Sequence, residues 1–385
     1  MSKQKKGQNA ICTHTGAVDD PLFQGATSPL YLSTSYAFLD QDPKRYPRYF
    51  NTPNQEYLSK KVAALEEAES GLLFSSGMAA ISAVMLTLLK SGDHAVIQND
   101  IYGGTRNFIE SHFKSYGIAY TFTKDLSVTS FEACIKKNTK LIYVETPSNP
   151  LLKLVDLFAV AKLAKTHGIT TAIDNTFATP IVQKPLTLGI DIVIHSATKY
   201  FGGHSDISAG AVASSQTIMN QIWNLAKDFG GNLSDYSVWL LERSMKTLVI
   251  RVKAQQKNAK KMAHFLEKHE AINKVYYPGL SSHENHHLAK IQMKGFGAML
   301  SFELSHQYNT EDFLKSLQLI KPSMSLAGVE STMILPAKTS HALLSEDDRL
   351  AQGISHQLIR FSVGIESKKD LIYDIEQALE KSKTK

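Results

Sequence analysis

Cysteine, long apolar runs and clustered charge are what this sequence has least of. Two cysteines, Cys12 and Cys134, in 385 residues are too few for a disulfide framework, and a reducing compartment is expected. The longest apolar run, Val84-Met-Leu-Thr-Leu-Leu89 with the residues just before it, is well short of the roughly 20 residues that cross a bilayer. The N-terminal stretch is polar and carries no apolar export segment, so a cytoplasmic protein without a membrane partner is expected. Much of the formal net charge of +6 sits in Lys3-Gln-Lys-Lys6 and Lys381-Ser-Lys-Thr-Lys385, which read as solvated tails. No basic stripe interleaved with aromatics follows, which argues against a nucleic-acid partner. Hydrophobic content of 43% and charged content of 20% describe an ordinary globular protein, and the length predicts two domains.

What is present is an alternation. Short apolar segments at Ala95-Val-Ile97, Ala119-Tyr-Thr-Phe122, Lys140-Leu-Ile-Tyr-Val-Glu145, Thr171-Ala-Ile-Asp174 and Ile192-Val-Ile-His195 have helical patterns between them. This predicts an α/β fold with a largely parallel sheet covered on both faces. Residues 1–53, with Pro21, Pro29, Pro43 and Pro47, read as an extended arm. An amphipathic helix is expected from Asn54, ending at Gly71, and opens a domain over residues 54–245. A nearly continuous helix over Val238–Lys268 leads into a second domain, residues 246–385. Strands at Lys274-Val-Tyr-Tyr277, Ala298–Leu304 and Leu358–Val363 are expected there, with a closing helix from Lys369.

One lysine stands out. Lys199 follows the apolar strand Ile192–Ile194 and is flanked by Ser196 and Thr198, with the Gly-rich Phe201-Gly-Gly-His-Ser-Asp206 behind it. In open α/β sheets ligands bind beyond the carboxyl ends of the strands. A lysine there suits a Schiff base with an aldehyde cofactor whose phosphate the hydroxyls hold; a solvated loop lysine is the plainer alternative. Asp174 ends the preceding strand, and only the short crossover Pro180–Gly189 separates the two. A buried carboxylate and a buried amine are the two polar anchors that pyridoxal phosphate needs, the first for its ring nitrogen and the second for its aldehyde carbon. Alone, Asp174-Asn-Thr176 reads equally as turn chemistry.

Four further segments suit such a site. Ser75-Ser76-Gly77-Met78 opens an apolar helix, where free N–H groups favour phosphate. Tyr102-Gly-Gly-Thr105 offers a stacking ring, or a packing tyrosine beside a turn. Glu145-Thr-Pro-Ser-Asn149-Pro150 ends a strand with an amide donor, or is a Pro-flanked turn. Arg360, within a strand pattern, offers a fork for a substrate carboxylate, an exposed strand arginine being commoner.

Ser196-Ala-Thr-Lys-Tyr-Phe-Gly-Gly-His-Ser-Asp206, Ala172-Ile-Asp-Asn-Thr-Phe177, Glu145–Pro150, Tyr102–Thr105 and Ser325-Leu-Ala-Gly-Val-Glu-Ser331 together resemble the Cys/Met-metabolism family of pyridoxal-phosphate enzymes. That family contains cystathionine γ-synthases, γ-lyases and β-lyases and methionine γ-lyases, and the resemblance covers roughly Thr13 to Ala378. It implies an aspartate-aminotransferase-like (fold type I) architecture, with a large, mixed, mostly parallel sheet domain and a smaller C-terminal α/β domain. It implies pyridoxal 5'-phosphate as cofactor and a homotetramer, a dimer of dimers with shared active sites. By the resemblance Lys199 carries the cofactor, Asp174 partners its ring nitrogen, and Tyr102 stacks and moves protons. Ser76, Gly77, Met78, Ser196 and Thr198 contact the phosphate, and Tyr46-Pro-Arg48 reaches it from the neighbouring subunit. Arg360, Ser325 and Asn149 bind the substrate carboxylate, and Glu330 contacts a distal amino group. Asn149 also reaches the cofactor. The activity implied is a cystathionine lyase cleaving C–S by β- or γ-elimination, with γ-replacement on an O-acylhomoserine as the second reading.

Three departures and one rival motif accompany the resemblance. Thr52-Pro53 inverts the family's Pro-Thr, so the entry to the first helix is expected to differ. Asn107 stands where many cystathionine enzymes carry arginine, with Arg106 one place earlier. Gly104 stands where methionine γ-lyases typically carry cysteine. His283-Glu-Asn-His-His287 satisfies the HExxH pattern of zinc hydrolases. A metal site there needs both histidines on one helical face and a third ligand, whereas Ser282 reads as a helix N-cap and His283 as the first helical residue. No metal is expected.

Overall fold

The computed structural model describes residues 6–342 and 345–384. Seven strands form the larger sheet: β1 (Ser70–Phe74), β2 (His94–Ile97), β3 (Ala119–Phe122), β4 (Thr139–Glu145), β5 (Thr170–Asp174), β6 (Ile192–His195) and β7 (Gly210–Ser214). Their order is β1-β7-β6-β5-β4-β2-β3. The five from β3 to β6 pair in parallel, and β7 is antiparallel to both neighbours. Along β4, Leu141 and Tyr143 enter one core cluster while Ile142 and Val144 enter another. The sheet is therefore buried on both faces, which is why its strands read as continuous apolar runs rather than alternating ones. The expected mixed, mostly parallel sheet is present.

Two of its strands left no clear mark in the sequence. The first long helix, Pro53–Glu66, closes on Glu67 in the left-handed region. Gly71 therefore lies inside β1 rather than at a helix end, opposite Ala213 of β7. A Cβ at Gly71 would stand 2.9 Å from the Ser59 carbonyl oxygen; the glycine lets helix and strand approach. The Thr52-Pro53 inversion strengthens the helix start. Thr52 accepts from the Gln55 N–H, Gln55 reaches back to the Thr52 N–H, and proline occupies the first helical position, the most favourable arrangement for a helix N-terminus.

A smaller sheet follows in the order β10-β11-β12-β9-β8, built from β8 (Ile272–Tyr276), β9 (Met299–Leu304), β10 (Lys321–Pro322), β11 (Thr332–Ile334) and β12 (Leu358–Ser362). Pairing there is antiparallel except between β10 and β11. The helix expected over Val238–Lys268 is two helices, Asp235–Met245 and Leu248–Glu267, broken at Lys246 and Thr247. The closing helix runs Lys368–Ser382.

The first 53 residues are not uniformly extended. Gln8–His14 is helical and buries Ile11 and Cys12 in the main core. Between Thr15 and Tyr46 no helix or strand is present, and Leu22, Phe23, Leu32, Phe38 and Leu39 are exposed. Among the described residues no helix is long and apolar enough to cross a membrane.

Candidate active site

Three parallel strands deliver their carboxyl ends to one cavity of about 580 Å³, within the usual range for small-molecule sites. Glu145 ends β4, Asp174 ends β5, and the turn after β6 carries Ser196, Thr198 and Lys199; all line the cavity. Register explains the proximity, since Asp174 lies opposite Ile194 in the parallel pair β5–β6.

The lysine turn is braced on several sides. Thr198 exchanges hydrogen bonds with the backbone of Ala209, its hydroxyl accepting from the N–H at 2.9 Å and donating to the carbonyl at 3.1 Å. Buried Arg251 donates to the carbonyls of Tyr200 and Ser244 at 2.9 and 3.0 Å. Thr176 ties the two strand ends together: its hydroxyl donates to Asp174 Oδ1 and accepts from the Ser196 N–H at 2.8 Å. Among the described residues the Lys199 Nζ then has one hydrogen-bond partner, the Ser325 hydroxyl at 3.2 Å. Burial pushes its ammonium below the ordinary range, Arg360 adds to this, and Asp174 opposes it. The amine is thus biased toward the neutral form that nucleophilic attack and proton abstraction require.

Asp174 is hydrogen-bonded on one side only. Both bonds from Thr176, one from its N–H at 2.9 Å, go to Oδ1. Among the described residues nothing donates to Oδ2. At the other end of the cavity Ser76 caps the helix Gly77–Leu88 by accepting from the Ala79 N–H at 3.0 Å. The first-turn N–H groups of Gly77 and Met78 have no intrahelical partner. A Cβ on Gly77 would stand 2.9 Å from that of Ser196, so only glycine keeps this cradle open. A reactive amine, a half-free buried carboxylate and a cradle of N–H and hydroxyl groups fit the aldehyde, ring nitrogen and phosphate of pyridoxal phosphate.

The opposite wall comes from the smaller sheet. Arg360 on β12 is buried rather than exposed, donating to Asn149 Oδ1 at 3.0 Å and to the Ser325 carbonyl at 3.1 Å. Among the described residues it forms no ion pair. Burial, the largest effect, lowers its pKa to about 10, the mark of a guanidinium left without a counter-anion. Ser325 takes a φ of 129°, a region that costs a non-glycine residue about 1–3 kcal/mol and clusters at functional sites. Tyr102 lines the cavity and remains exposed, and its N–H donates to Glu145 Oε2 at 2.8 Å.

Some expected residues lie elsewhere. Tyr46 and Arg48 do not line the cavity: Arg48 donates to the Lys227 carbonyl and lies 5.7 Å from the Tyr46 ring centroid. Glu330 is exposed and outside the lining, beside Gly328. Asn107 does line the cavity, whereas Arg106 is spent on Asn99 and Glu110 and stacks 3.9 Å over Phe122. No arginine therefore replaces the one absent at Asn107. A Cβ at Gly104 would meet the Tyr102 ring at 2.5 Å, so a cysteine there would displace that ring.

Thr339 and Ser340 also line the cavity, and buried His341 accompanies them. Burial and then the Arg360 charge lower the His341 imidazole to about 4; its Nδ1 pairs with the Ser340 hydroxyl at 2.9 Å. Nothing in their local sequence flags these residues. The HExxH segment is corrected. The helix begins at His286, so His283 and Ser282 lie outside it. His283 Nδ1 accepts from the Asn285 N–H and His286 Nδ1 meets the Pro278 carbonyl. Among the described residues no group of three or more metal-ligating side chains exists.

Comparison with known proteins gives the family of the chain. The family model for the Cys/Met metabolism PLP-dependent enzymes matches residues 9–380. The chain is 44% identical over 381 residues to a cystathionine γ-lyase of Bacillus subtilis, covering 97% of this chain and 99% of that protein. It is 43% identical to a cystathionine β-lyase of Lactococcus lactis, covering 95% of each. A solved cystathionine γ-lyase of Lactobacillus plantarum, complexed with L-serine, superposes with a TM-score of 0.94 at 39% identity, covering 98% of this chain and 99% of that one.

Filling the cradle tests its role. Gly77→Val, which forces Ser196 or the helix to shift by overpacking, should weaken pyridoxal-phosphate binding about tenfold or more. Fluorescence titration of the cofactor measures this, and unchanged affinity would remove Gly77 from the phosphate site.

Proposed function

The chain belongs to the Cys/Met metabolism PLP-dependent enzymes, and on that premise we propose that it is a cystathionine lyase, cleaving a carbon–sulfur bond. The observation that carries this reading is Arg360, a buried guanidinium without an anion in the same cavity as Lys199 and Asp174. A site with that triad takes an α-amino acid. The carboxylate docks on Arg360, held in aim by Asn149 and Ser325, and the amino group comes to the lysine.

When bound, pyridoxal phosphate supplies an aldehyde that condenses with the substrate amine and a ring that takes up the electron pair left at the α-carbon. Asp174, with no described donor on Oδ2, would hold the proton on the ring nitrogen. Lys199, its amine biased neutral by burial, removes the α-proton. Tyr102, whose backbone is pinned by Glu145, is the hydroxyl on the open side of the cavity for the departing sulfur. β-Elimination from cystathionine with one water gives homocysteine, pyruvate and ammonia; γ-elimination gives cysteine, 2-oxobutyrate and ammonia. The distal end of the substrate meets the amide of Asn107 and the Ser340 hydroxyl instead of an arginine.

The functional unit in this reading is a dimer or a dimer of dimers. Tyr46 and Arg48 lie outside the chain's own cavity, on a segment that leaves five large apolar side chains exposed. Such a surface is buried most simply against a second copy, and the same contact would bring Tyr46 and Arg48 to the neighbour's phosphate.

Two measurements check the reading. Purified enzyme given L-cystathionine should release a free thiol and pyruvate or 2-oxobutyrate in equal amounts, the keto acid naming the bond broken. New cystathionine from an O-acylhomoserine and cysteine, without cleavage, would make the protein a synthase. Arg48→Ala should weaken cofactor binding by on the order of 1.5–3 kcal/mol. Mixing it with Lys199→Ala should restore activity, because each hybrid dimer holds one site with both residues intact. Well-mixed hybrids without activity would return Arg48 to its own chain's site.

A further inference from the structure

A second buried carboxyl faces the cavity, and the mechanism above uses it only through its bond to Tyr102. Glu145 and Asp174 are directly opposite each other across the parallel pair β4–β5. Two residues earlier on the same strands, Tyr143 and Ala172 are also partners and share one core cluster. Side chains alternate along a strand, so Glu145 and Asp174 project on that same face, side by side. Both line the cavity and both are buried. Two adjacent carboxyls in such a place cannot both carry charge.

The hydrogen bonds decide which one does. Burial raises the Asp174 carboxyl, but two hydrogen bonds from Thr176 and the proximity of His195 and Lys199 draw it back toward the charged form. Glu145 receives one, from the Tyr102 N–H to Oε2, and nothing among the described residues donates to Oε1. Of the other charged or titratable groups around it, only Arg360 favours its ionisation, and weakly. Asp100, from the segment after β2, is a further, half-buried acid held by Ser148 and Gln98. Tyr143 lies two residues away on its own strand. Arg360 is turned to Asn149 and Ser325. We propose that Glu145 and Asp174 form one cross-strand pair holding a single proton, carried on Glu145 Oε1, which makes Glu145 a neutral positioning residue. It fixes the Tyr102 backbone, leaves Asp174 as the only charged carboxylate of the pair, and keeps Arg360 uncompensated for the substrate carboxylate.

Burial first, and the neighbouring Asp174 second, push the Glu145 carboxyl well above its ordinary range, against the weaker pulls of Tyr102 and Arg360. The acid stays neutral below that raised value and ionises as the pH rises through it. The second negative charge then offsets Arg360, so KM should climb at alkaline pH, by up to about tenfold per pH unit, ahead of any change in kcat. Glu145→Gln keeps an acceptor for Tyr102 without a titrating proton and should lack this rise.

The direct test is infrared difference spectroscopy of the purified full-length protein, wild type against Glu145→Gln, from neutral to alkaline pH. At neutral pH the difference should contain a protonated-carboxyl band that disappears as the pH rises. In Asp174→Asn, relieved of the like charge, that band should titrate at lower pH. A carboxylate band alone at neutral pH would overturn the proposal. Should Glu145→Gln not fold, wild type against Asp174→Asn decides: a protonated band titrating identically in both would overturn it. Only the KM arm depends on the cystathionine reading. A failed lyase assay and a failed proton assignment are therefore distinguishable.

Discussion

Three buried titratable side chains in one cavity, none fully partnered by the described residues of the protein, set the terms for the rest of this structure. Lys199, Asp174 and Arg360 converge on a space enclosed by both sheets. Burying an ion without its partner costs several kcal/mol in a real protein. That cost is tolerated because the strands beneath are among the most completely buried segments of the chain. Leu141 to Val144, Ile192 to Ile194 and Ala211 to Ala213 are all fully inaccessible. The apolar core offsets the polar site above it, and the unpaired groups are what a charged substrate and cofactor would satisfy.

Rigidity follows from the same arrangement. Thr176 joins the Asp174 strand end to the lysine turn, Thr198 joins that turn to the segment before β7, and Arg251 clamps it from the helix behind. Ser325 touches both Lys199 and Arg360 through different atoms, coupling the two sheets through one residue held at positive φ. Such bracing limits motion in the groups that meet the substrate, which is how geometry is preserved without ligand present. The Glu145–Asp174 pair adds an electrostatic counterpart, assigning one proton between two strand ends.

The large sheet was legible where strands were continuously apolar. β2, β4, β5 and β6 announced themselves because both faces are buried, while β3, a partly exposed edge strand, showed through its aromatic residues Tyr120 and Phe122. β1 and β7 did not: Ser70-Gly-Leu-Leu-Phe74 runs directly on from a helix, and Gly210-Ala-Val-Ala-Ser214 is made of small residues with little strand character. The site was legible where chemistry and position coincided, as at Lys199 and Asp174. Arg360 was visible as a residue type but not as a buried one, since burial comes from β9 and β11 on either side. Thr176, Ser340 and His341 were not legible as site residues, because contacts formed across long sequence separations give them their places. His283-Glu-Asn-His-His287 erred in the opposite direction: a spacing with meaning only inside a helix falls where the helix has not yet begun.

The central claim is that Lys199 is the amine that carries the cofactor. Borohydride reduction of the purified protein with pyridoxal phosphate, followed by proteolysis and mass spectrometry, tests it most directly. The account predicts a single stable phosphopyridoxyl modification on the peptide containing Lys199. A modification confined to another lysine, or none at stoichiometric cofactor, would contradict it.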